Sequence, residues 1–404
     1  MAALTRFRYS STNLITGQLL CDDLPIQVQS FSQQLNGGGQ MSAALDLDED
    51  YGANIPYLEA LAPRRTVLWA LADQGAGFYP VWNGVVWDAP DTSRSGGTWP
   101  VTASTMDSIW SRRLISATLE YQNIDMFAVF LDLLTYGTTK TSPYITSLSP
   151  FHGPASPLVG QAAAVAGLVL PTGAAAVSGQ SWSAGYLYSD LGSVSSAWAT
   201  MVSAGLEYAL VPMLSNGSLA TGVYLAFNTG LGRSYPQSGY AVTYPGNASD
   251  YGWQVTGSQS SNYLWATAPP NGSAAAWESQ YPHGADLSDL EAGFPLMEGT
   301  VSWNGSTVTK QAQVDAFADG QLGIVTQGLT TPVITIPDGL KPGILDVVLG
   351  DQFPFAATSP IHPPRNGQPG LQSMVRLTGW TMTPPGPQQS AYLQLTTSQI
   401  LATP

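Results

Sequence analysis

Over the first hundred positions apolar and polar residues alternate in short stretches, the period-two pattern of half-buried strands. Residues 7–10, 18–21, 25–32 and 41–47 read as strands, the last from Met41, Ala43, Leu45 and Leu47 alternating with polar neighbours. Asn36-Gly37-Gly38-Gly39 reads as a hairpin loop, because glycine accepts the positive φ such turns use. Residues 55–61 read as a short helix or turn. Further strands are predicted at 66–72, 78–82 and 85–88, with Asn83-Gly84 as a tight hairpin between the last two. Short strands separated by glycine turns suggest a closed or nearly closed barrel.

From Leu114 the period lengthens. Ile124, Phe127, Ala128, Leu131 and Leu134 follow helical spacing, ending near Gly137. Residues 141–181 are rich in Pro, Gly and Ala and read as a long ordered loop or arm. A second helix carries Leu191, Val194, Trp198, Met201 and Val202 on one face, with Asp190 or Ser189 as N-cap. Strands at 206–214 and 220–227 join through Asn216-Gly217. Residues 235–275 are loop-rich and aromatic, and a third helix is expected within 308–318, stopped by Gly320. Strands return at 333–336, 347–349, 352–357, 371–381 and 391–394. The fold class is therefore mainly β with an α+β middle. Two β-barrel-like modules (1–113 and 299–404) flank a helical, loop-rich part (114–205) and a mixed α+β part (206–298). No short tandem repeat interrupts that order.

Composition narrows the picture. Charged residues make up only 10% and hydrophobic residues 44%. Disorder does not suit a chain with 12 Trp, 18 Tyr and 11 Phe. The longest approach to a membrane span, residues 162–170, is cut short by Pro171 and Gly173. The first ten residues hold Arg6 and Arg8 but no apolar stretch of signal-peptide length, so a soluble protein not exported by that route is expected. Ser, Thr, Gly, Asn, Gln and Pro replace charge, and lysine occurs only at Lys140, Lys310 and Lys341. Such a surface suits life packed against other proteins, although a secreted β-protein would share it. Net charge is −14, and between Arg113 and Lys310 the only basic residues are Lys140 and Arg233. That excludes a phosphate-neutralising face in the middle of the chain. Cys21 is the sole cysteine, leaving no intrachain disulfide and no thiolate metal site; it reads as a small core hydrophobe.

Candidate chemistry is sparse. His152, His283 and His362 each adjoin Pro or Gly, match no zinc spacing and read as loop histidines packed against prolines. Gly179-Gln180-Ser181-Trp182-Ser183 lacks the final glycine of a nucleophile elbow, and no lysine follows a phosphate loop. Two acidic groups stand out: Asp46, Asp48, Glu49 and Asp50, and Asp286, Asp289 and Glu291. The first lacks the spacing and terminal Glu of an EF-hand and reads as a solvated turn. Trp82 and Trp87, in period-two stretches, read as core although exposed aromatics could stack on sugars. No catalytic, cofactor-binding or metal-ligating residue is assigned, and no enzymatic activity is expected.

Several runs resemble the tail hub or minor tail (tail-associated, baseplate-hub-like) proteins of long-tailed actinobacteriophages. They are Gly17–Ile26, Phe31–Gly39 with the alternating 41–47 strand, Pro63–Trp69 and Pro80–Trp87. Arg113-Leu114-Ile115 with Tyr121 and Asp125, Leu349-Gly350-Asp351, and Arg376-Leu377-Thr378-Gly379-Trp380 follow in the same order. The middle, about 140–290, is only loosely similar. The resemblance implies a non-catalytic homotrimer whose two tube domains per chain match a sixfold tail tube to a threefold tip. It implies a place at the tail tip of the virion after assembly in the host cytoplasm. The implied partners are a distal tail protein, a tape measure protein and other tip or fibre proteins, with DNA passing through unbound. Acidic residues, with Asp46–Asp50 as the candidates, are expected along that bore. A secreted carbohydrate-binding or glycosidase-like β-protein is the alternative; a capsid or spike protein would instead be a jelly roll of eight strands without middle helices.

Overall fold

The computed structural model describes residues 4–47, 51–88, 97–148, 164–227, 230–256, 261–268, 277–293, 295–302, 311–325, 329–386 and 390–400. The first part holds strands β1 (Arg6–Asn13), β2 (Leu19–Cys21), β3 (Ile26–Gln34), β4 (Gln40–Asp46), β5 (Thr66–Asp73), β6 (Tyr79–Asp88) and β7 (Thr98–Thr105), with helix α1 (Tyr51–Ala60) after β4. The middle adds β8 (Ala117–Asp125), α2 (Met126–Thr139), β9 (Ile145–Leu148), β10 (Leu168–Val169), β11 (Ser181–Tyr186), α3 (Val194–Ser203), β12 (Leu206–Ser215) and β13 (Ser218–Phe227). Next come β14 (Val242–Tyr244), β15 (Asp250–Thr256), β16 (Tyr263–Ala268), β17 (Trp277–Glu278), α4 (Leu287–Glu291), β18 (Glu298–Ser302), α5 (Gln311–Val325) and β19 (Leu329–Pro337). The last three strands are β20 (Gln352–Ala357), β21 (Leu371–Thr383) and β22 (Tyr392–Gln399).

The chain divides into two units, one of residues 1–251 with 334–400, the other of residues 252–333 with 401–404. In the larger unit a single antiparallel path runs β22-β21-β3-β4-β7-β6-β5-β1-β2. The mainly β class with helices in the middle is as expected. Among the described residues, however, neither β-rich module closes on itself as a barrel. The reason lies in β21, which is 13 residues long. Residues 371–376 pair with β20, which leaves 379–382 an edge that takes up β3. The pairing sets Gly379 opposite Gln34, Trp380 opposite Gln33 and Met382 opposite Phe31. Sequence-distant modules thereby become one sheet.

The core of this unit is aromatic and shared. Phe31 meets Trp82 at 6.3 Å and Trp380 at 5.8 Å between ring centroids, so both modules bury side chains on the same residue. A second cluster gathers Trp110, Phe130, Trp198 and Tyr208, with Phe130 stacked on Trp198 at 4.5 Å. It reaches Val67, Trp69 and Val85, so the helical middle shares its core with the N-terminal strands. Each such fully buried side chain contributes about 1.5–3 kcal/mol.

Several expected elements shift for identifiable reasons. Asn83-Gly84 is not a turn: β6 runs straight through it. Asn83 is buried and donates from Nδ2 to Thr221 Oγ1 (2.7 Å), and a Cβ at Gly84 would lie 2.4 Å from the Ser104 carbonyl oxygen. Helix α2 likewise runs through Gly137, where a Cβ would meet the Trp110 indole at 2.7 Å; it ends at Thr139, with Lys140 left-handed at φ 59°. Ile124 belongs to β8, and the buried face of α2 is set by Met126, Phe127, Phe130, Leu133 and Leu134. Ser193, not Asp190 or Ser189, caps α3 by accepting from the Ser196 N–H, and Leu191 stays exposed before it. Helix α5 continues past Gly320. Residues 347–349 form a turn, because Val348 N–H and Asp351 N–H are bonded within it. The 141–181 run includes β9 and β10 and, at its end, the start of β11. Cys21 is half-buried on β2, its thiol 3.5 Å from the Asp23 carbonyl, rather than in the core. Among the described residues no helix is long and apolar enough to cross a membrane.

Candidate functional site

Alternation along β3, β4 and β7 turns Phe31, Met41, Ala43, Leu45, Val101 and Ala103 into the core. The opposite face is left to Gln27, Gln29, Gln40, Ser42, Thr98 and Thr102, with Ala44 and Pro100 as its apolar pair. Cross-strand registers place Ser42 between Ser30 and Thr102, and Gln40 beside Ser104. The side chains bond to one another: Ser42 Oγ to Gln29 Oε1 at 3.1 Å, and Gln27 Nε2 to Asp46 Oδ2 at 2.5 Å. Thr381 on β21 and Gln394 on β22, paired in register, extend the face across the junction. Strands β3, β4, β7, β21 and β22 contain no lysine and one arginine, Arg376. The result is a broad polar surface with almost no positive charge.

Arg376 is spoken for. It donates from Nη1 and Nη2 to both oxygens of Glu207, each at 2.6 Å, and from Nη2 and Nε to the carbonyls of Leu231 (3.0 Å) and Gly350 (3.3 Å). Glu207 also accepts from the Leu231 N–H at 2.7 Å. Burial pushes the Glu207 carboxyl up, but the Arg376 fork and the Leu231 N–H outweigh it and hold the group below its ordinary value. Beside this pair, fully buried Asp351 accepts from Arg233 N (2.8 Å) and Nε (3.0 Å) on one oxygen. On the other it accepts from Arg233 Nη2 (2.5 Å), Val348 N–H (3.0 Å) and Tyr240 OH (3.1 Å). The Arg233 guanidinium is held above its usual value by those bonds to Asp351. Burial, then the Asp351 charge, pushes the Tyr240 hydroxyl up. This clasp ties β12 and the 230–240 loop to the start of β20 and to β21. Two of the runs that carried the family resemblance, Leu349-Gly350-Asp351 and Arg376–Trp380, supply its acidic and basic members.

The other sequence candidates scatter. Asp46 is exposed on the polar face; Asp48, Glu49 and Asp50 lie outside the described residues, as does His152. His362 Nδ1 lies 2.8 Å from Tyr251 OH, and His283 Nδ1 lies 2.8 Å from Asp319 Oδ2, so polar partners rather than prolines hold both rings. Asp286 caps a local turn through Ser288 Oγ at 2.6 Å. Ser181 opens β11 at an exposed position. Trp82 is fully buried as expected, whereas Trp87 is half-buried with Arg112 stacked over its ring at 4.2 Å. Among the described residues no group of three His, Cys, Asp or Glu is placed to hold a metal ion. Sequence reasoning missed Glu207 and gave Arg233 no partner; the rarity of basic residues around Arg233 was the available signal.

The architecture has relatives among solved structures. A tail protein from Neisseria meningitidis MC58 superposes over 97% of this chain and 96% of its own, with a TM-score of 0.54 and 11% identity. The chain has a tail-protein fold. The 43 kDa tail protein of prophage MuSo2 from Shewanella oneidensis gives 0.53 at 9% identity, covering 97% of this chain and 98% of its own. A chain of the half-lidded Francisella PdpA–VgrG complex gives 0.55 at 8% identity; this chain is covered over 98% but spans only 58% of that one. No family model and no curated protein matches the sequence.

Proposed function

We propose that the chain is a structural, non-enzymatic hub of the tail tip of a long-tailed phage of actinobacteria. In this reading three copies form a ring that joins a sixfold tail tube to a threefold tip and encloses part of the DNA path. The observation that carries it is the β3–β21 junction, which merges an N-terminal and a C-terminal β-module into one sheet with a common polar face. Two such modules per chain give six in a trimer. We place the polar face on the bore. Non-specific DNA binding draws its affinity chiefly from lysine and arginine, which displace counterions from the phosphates. This face offers Ser, Thr and Gln with Asp46, and its one arginine is neutralised by Glu207. DNA would slide past it without being held.

In the same reading residues 1–113 and 299–404 are the two tube domains, and 114–205 and 206–298 form the parts between them. Docking partners are a distal tail protein, a tape measure protein and tip or fibre proteins, and the chain resides in the virion after assembly in the host cytoplasm. The similarity in fold to tail proteins supports the class of role, and the low charge suits a protein whose surface is largely covered by neighbours. The test is the mass of the purified protein by light scattering coupled to size exclusion. A particle near three times 42.6 kDa is expected. A monomer, both alone and when mixed with tail-tube protein, would overturn the ring.

A further inference from the structure

The smaller unit carries a sheet face of a different chemistry. Its sheet has the order β17-β16-β18, with β16 antiparallel to β17 and parallel to β18. Ala266 and Ala268 of β16 pack on Val314 and Ala318 of α5. Alternation therefore turns Tyr263, Trp265 and Thr267 to the other side. Register places Glu298 beside Tyr263, Thr300 beside Trp265, and Ser302 and Glu278 on either side of Thr267. Glu298, Thr300, Ser302 and Glu278 are all exposed.

Three rings form a row on that face, the middle one, Tyr263, buried and the outer two left to meet a ligand. Tyr281 stacks on Tyr263 with centroids 6.2 Å apart and planes 10° apart, and Tyr263 meets Trp265 at 5.1 Å. Trp265 donates from Nε1 to Glu298 Oε1 at 3.1 Å, which fixes the indole. Tyr281, at the end of the row, is 66% exposed, more than Tyr79, Tyr224 or Tyr235 at 47%. The turn that presents it is clamped. Asp315 of α5 accepts from the Gln280 N–H at 2.9 Å, and Asp319, one helical turn on, accepts from the Gly284 N–H at 2.9 Å and meets His283 Nδ1. An exposed ring held this firmly is preorganised to meet a ligand.

We propose that this face binds a neutral saccharide chain. Sugar rings offer an apolar C–H face that stacks on Tyr281 and Trp265, and hydroxyl pairs that suit Glu298 and Glu278 flanked by Thr267, Thr300 and Ser302. Charge decides against the other polymers: residues 252–333 carry seven Asp or Glu and a single lysine, Lys310. Such a field repels nucleic acid and other polyanions. The site rests on sheet β17-β16-β18 and α5 and not on the β3–β21 junction that carries the hub reading, so either can fail alone.

The test is saturation-transfer NMR with the intact chain and three probes, cellotetraose, maltotetraose and fully N-acetylated chitotetraose, with heparin as the anionic control. Transfer to at least one neutral probe and none to heparin is expected. Tyr281→Ala, at an exposed position, should weaken binding about tenfold, the loss of about 1.4 kcal/mol of stacking. Tyr281→Phe should bind within about twofold of the parent, since stacking needs the ring and not the hydroxyl. Transfer to none of the neutral probes, transfer to heparin, or binding that Tyr281→Ala leaves unchanged would each overturn the proposal.

Discussion

Two sheet faces of this chain meet solvent with opposite chemistry. On β3, β4 and β7 the outward positions are mostly Gln, Ser and Thr, with Pro100 among them and Asp46 at one edge. On β16 and β18 the exposed positions surround aromatic rings and carboxylates, with Tyr281 projecting above them. Both arise from ordinary strand alternation over an apolar core, so the fold does not set the difference. Short hydroxyl and amide groups satisfy one another across strands, as Ser42 does with Gln29, and offer an approaching polymer little to grip. Rings held by clamped turns offer area at low entropic cost. On the two proposals, one surface lets a polymer pass and the other holds one.

The strongest way to break that comparison is to attack the clasp beside the first face. Arg376→Met leaves Glu207 partly buried without its partner, and a loss of about 3 kcal/mol is expected in urea denaturation. The linkage has a definite sign. Glu207 lies below its ordinary value, so its contribution is present above the unfolded carboxyl value of about 4.3 and is lost as pH falls through the folded value. Arg376→Met should remove that acid-side slope. Hydrogen-exchange protection should fall at β12 and β21 and stay unchanged at β16. Equal loss at β16 would mean that the two regions are not separately stabilised.

The next effect sharpens the second region. Burial raises the Asp315 carboxyl, but its bonds to Gln311 and the Gln280 N–H, together with the His283 charge, outweigh it and hold it below its usual value. Asp315→Ala leaves the Gln280 N–H without its acceptor and should cost about 2 kcal/mol locally. Protection should drop at 280–284, and saccharide binding should weaken although no side chain of the face has changed. Unchanged binding would show that the clamp does not preorganise Tyr281.

How much of this could be read from the sequence is clear from its two Asn-Gly pairs. Asn216-Gly217 joins β12 to β13 as a turn, both residues at positive φ (51° and 79°), as the local signal demands. Asn83-Gly84 carries the same signal yet lies inside β6, because Ser104 approaches too closely for a side chain and Thr221 binds the amide. Local sequence cannot distinguish a glycine needed for its φ from one needed for its size. Gly137 repeats the lesson inside α2. The polar face was legible, since the alternation at 41–47 places it. The β3–β21 junction was not, because nothing in residues 25–34 specifies a partner some 350 positions away. Nor were the ring row and the clasp, whose members come from separate segments: Tyr263 and Trp265 with Tyr281, and Glu207 with Arg376.

A smaller effect tests the first face directly. Ser42→Lys combined with Thr102→Lys puts two cations on neighbouring strands at positions in register. Both changes lie on the outer face, so each alone should move stability by no more than about 0.5 kcal/mol, with a similar further loss when the two like charges face each other. Duplex DNA, which the parent protein is expected not to retain, should now bind weakly with a log–log salt slope of about −1.8, two phosphates' worth. Retention of DNA by the unmodified protein would refute the slippery face outright.

The smallest effect serves as the control, because it touches neither face. Lys140 closes α2 in a left-handed conformation, donates from Nζ to the Leu114 carbonyl at 2.7 Å and lies over the Tyr136 ring at 5.0 Å. Burial, with Arg113 nearby, brings its ammonium down to about 8. The unfolded chain keeps that proton up to about pH 10.4. Between those values the unfolded state binds more protons, so stability should rise with pH across that window. Lys140 is partly exposed, and solvent screening keeps the slope shallow. Lys140→Met should flatten it while leaving both DNA exclusion and saccharide binding as they were. If either binding property moved with Lys140, the contrast between the two faces would reduce to a general effect of stability rather than of the side chains on them.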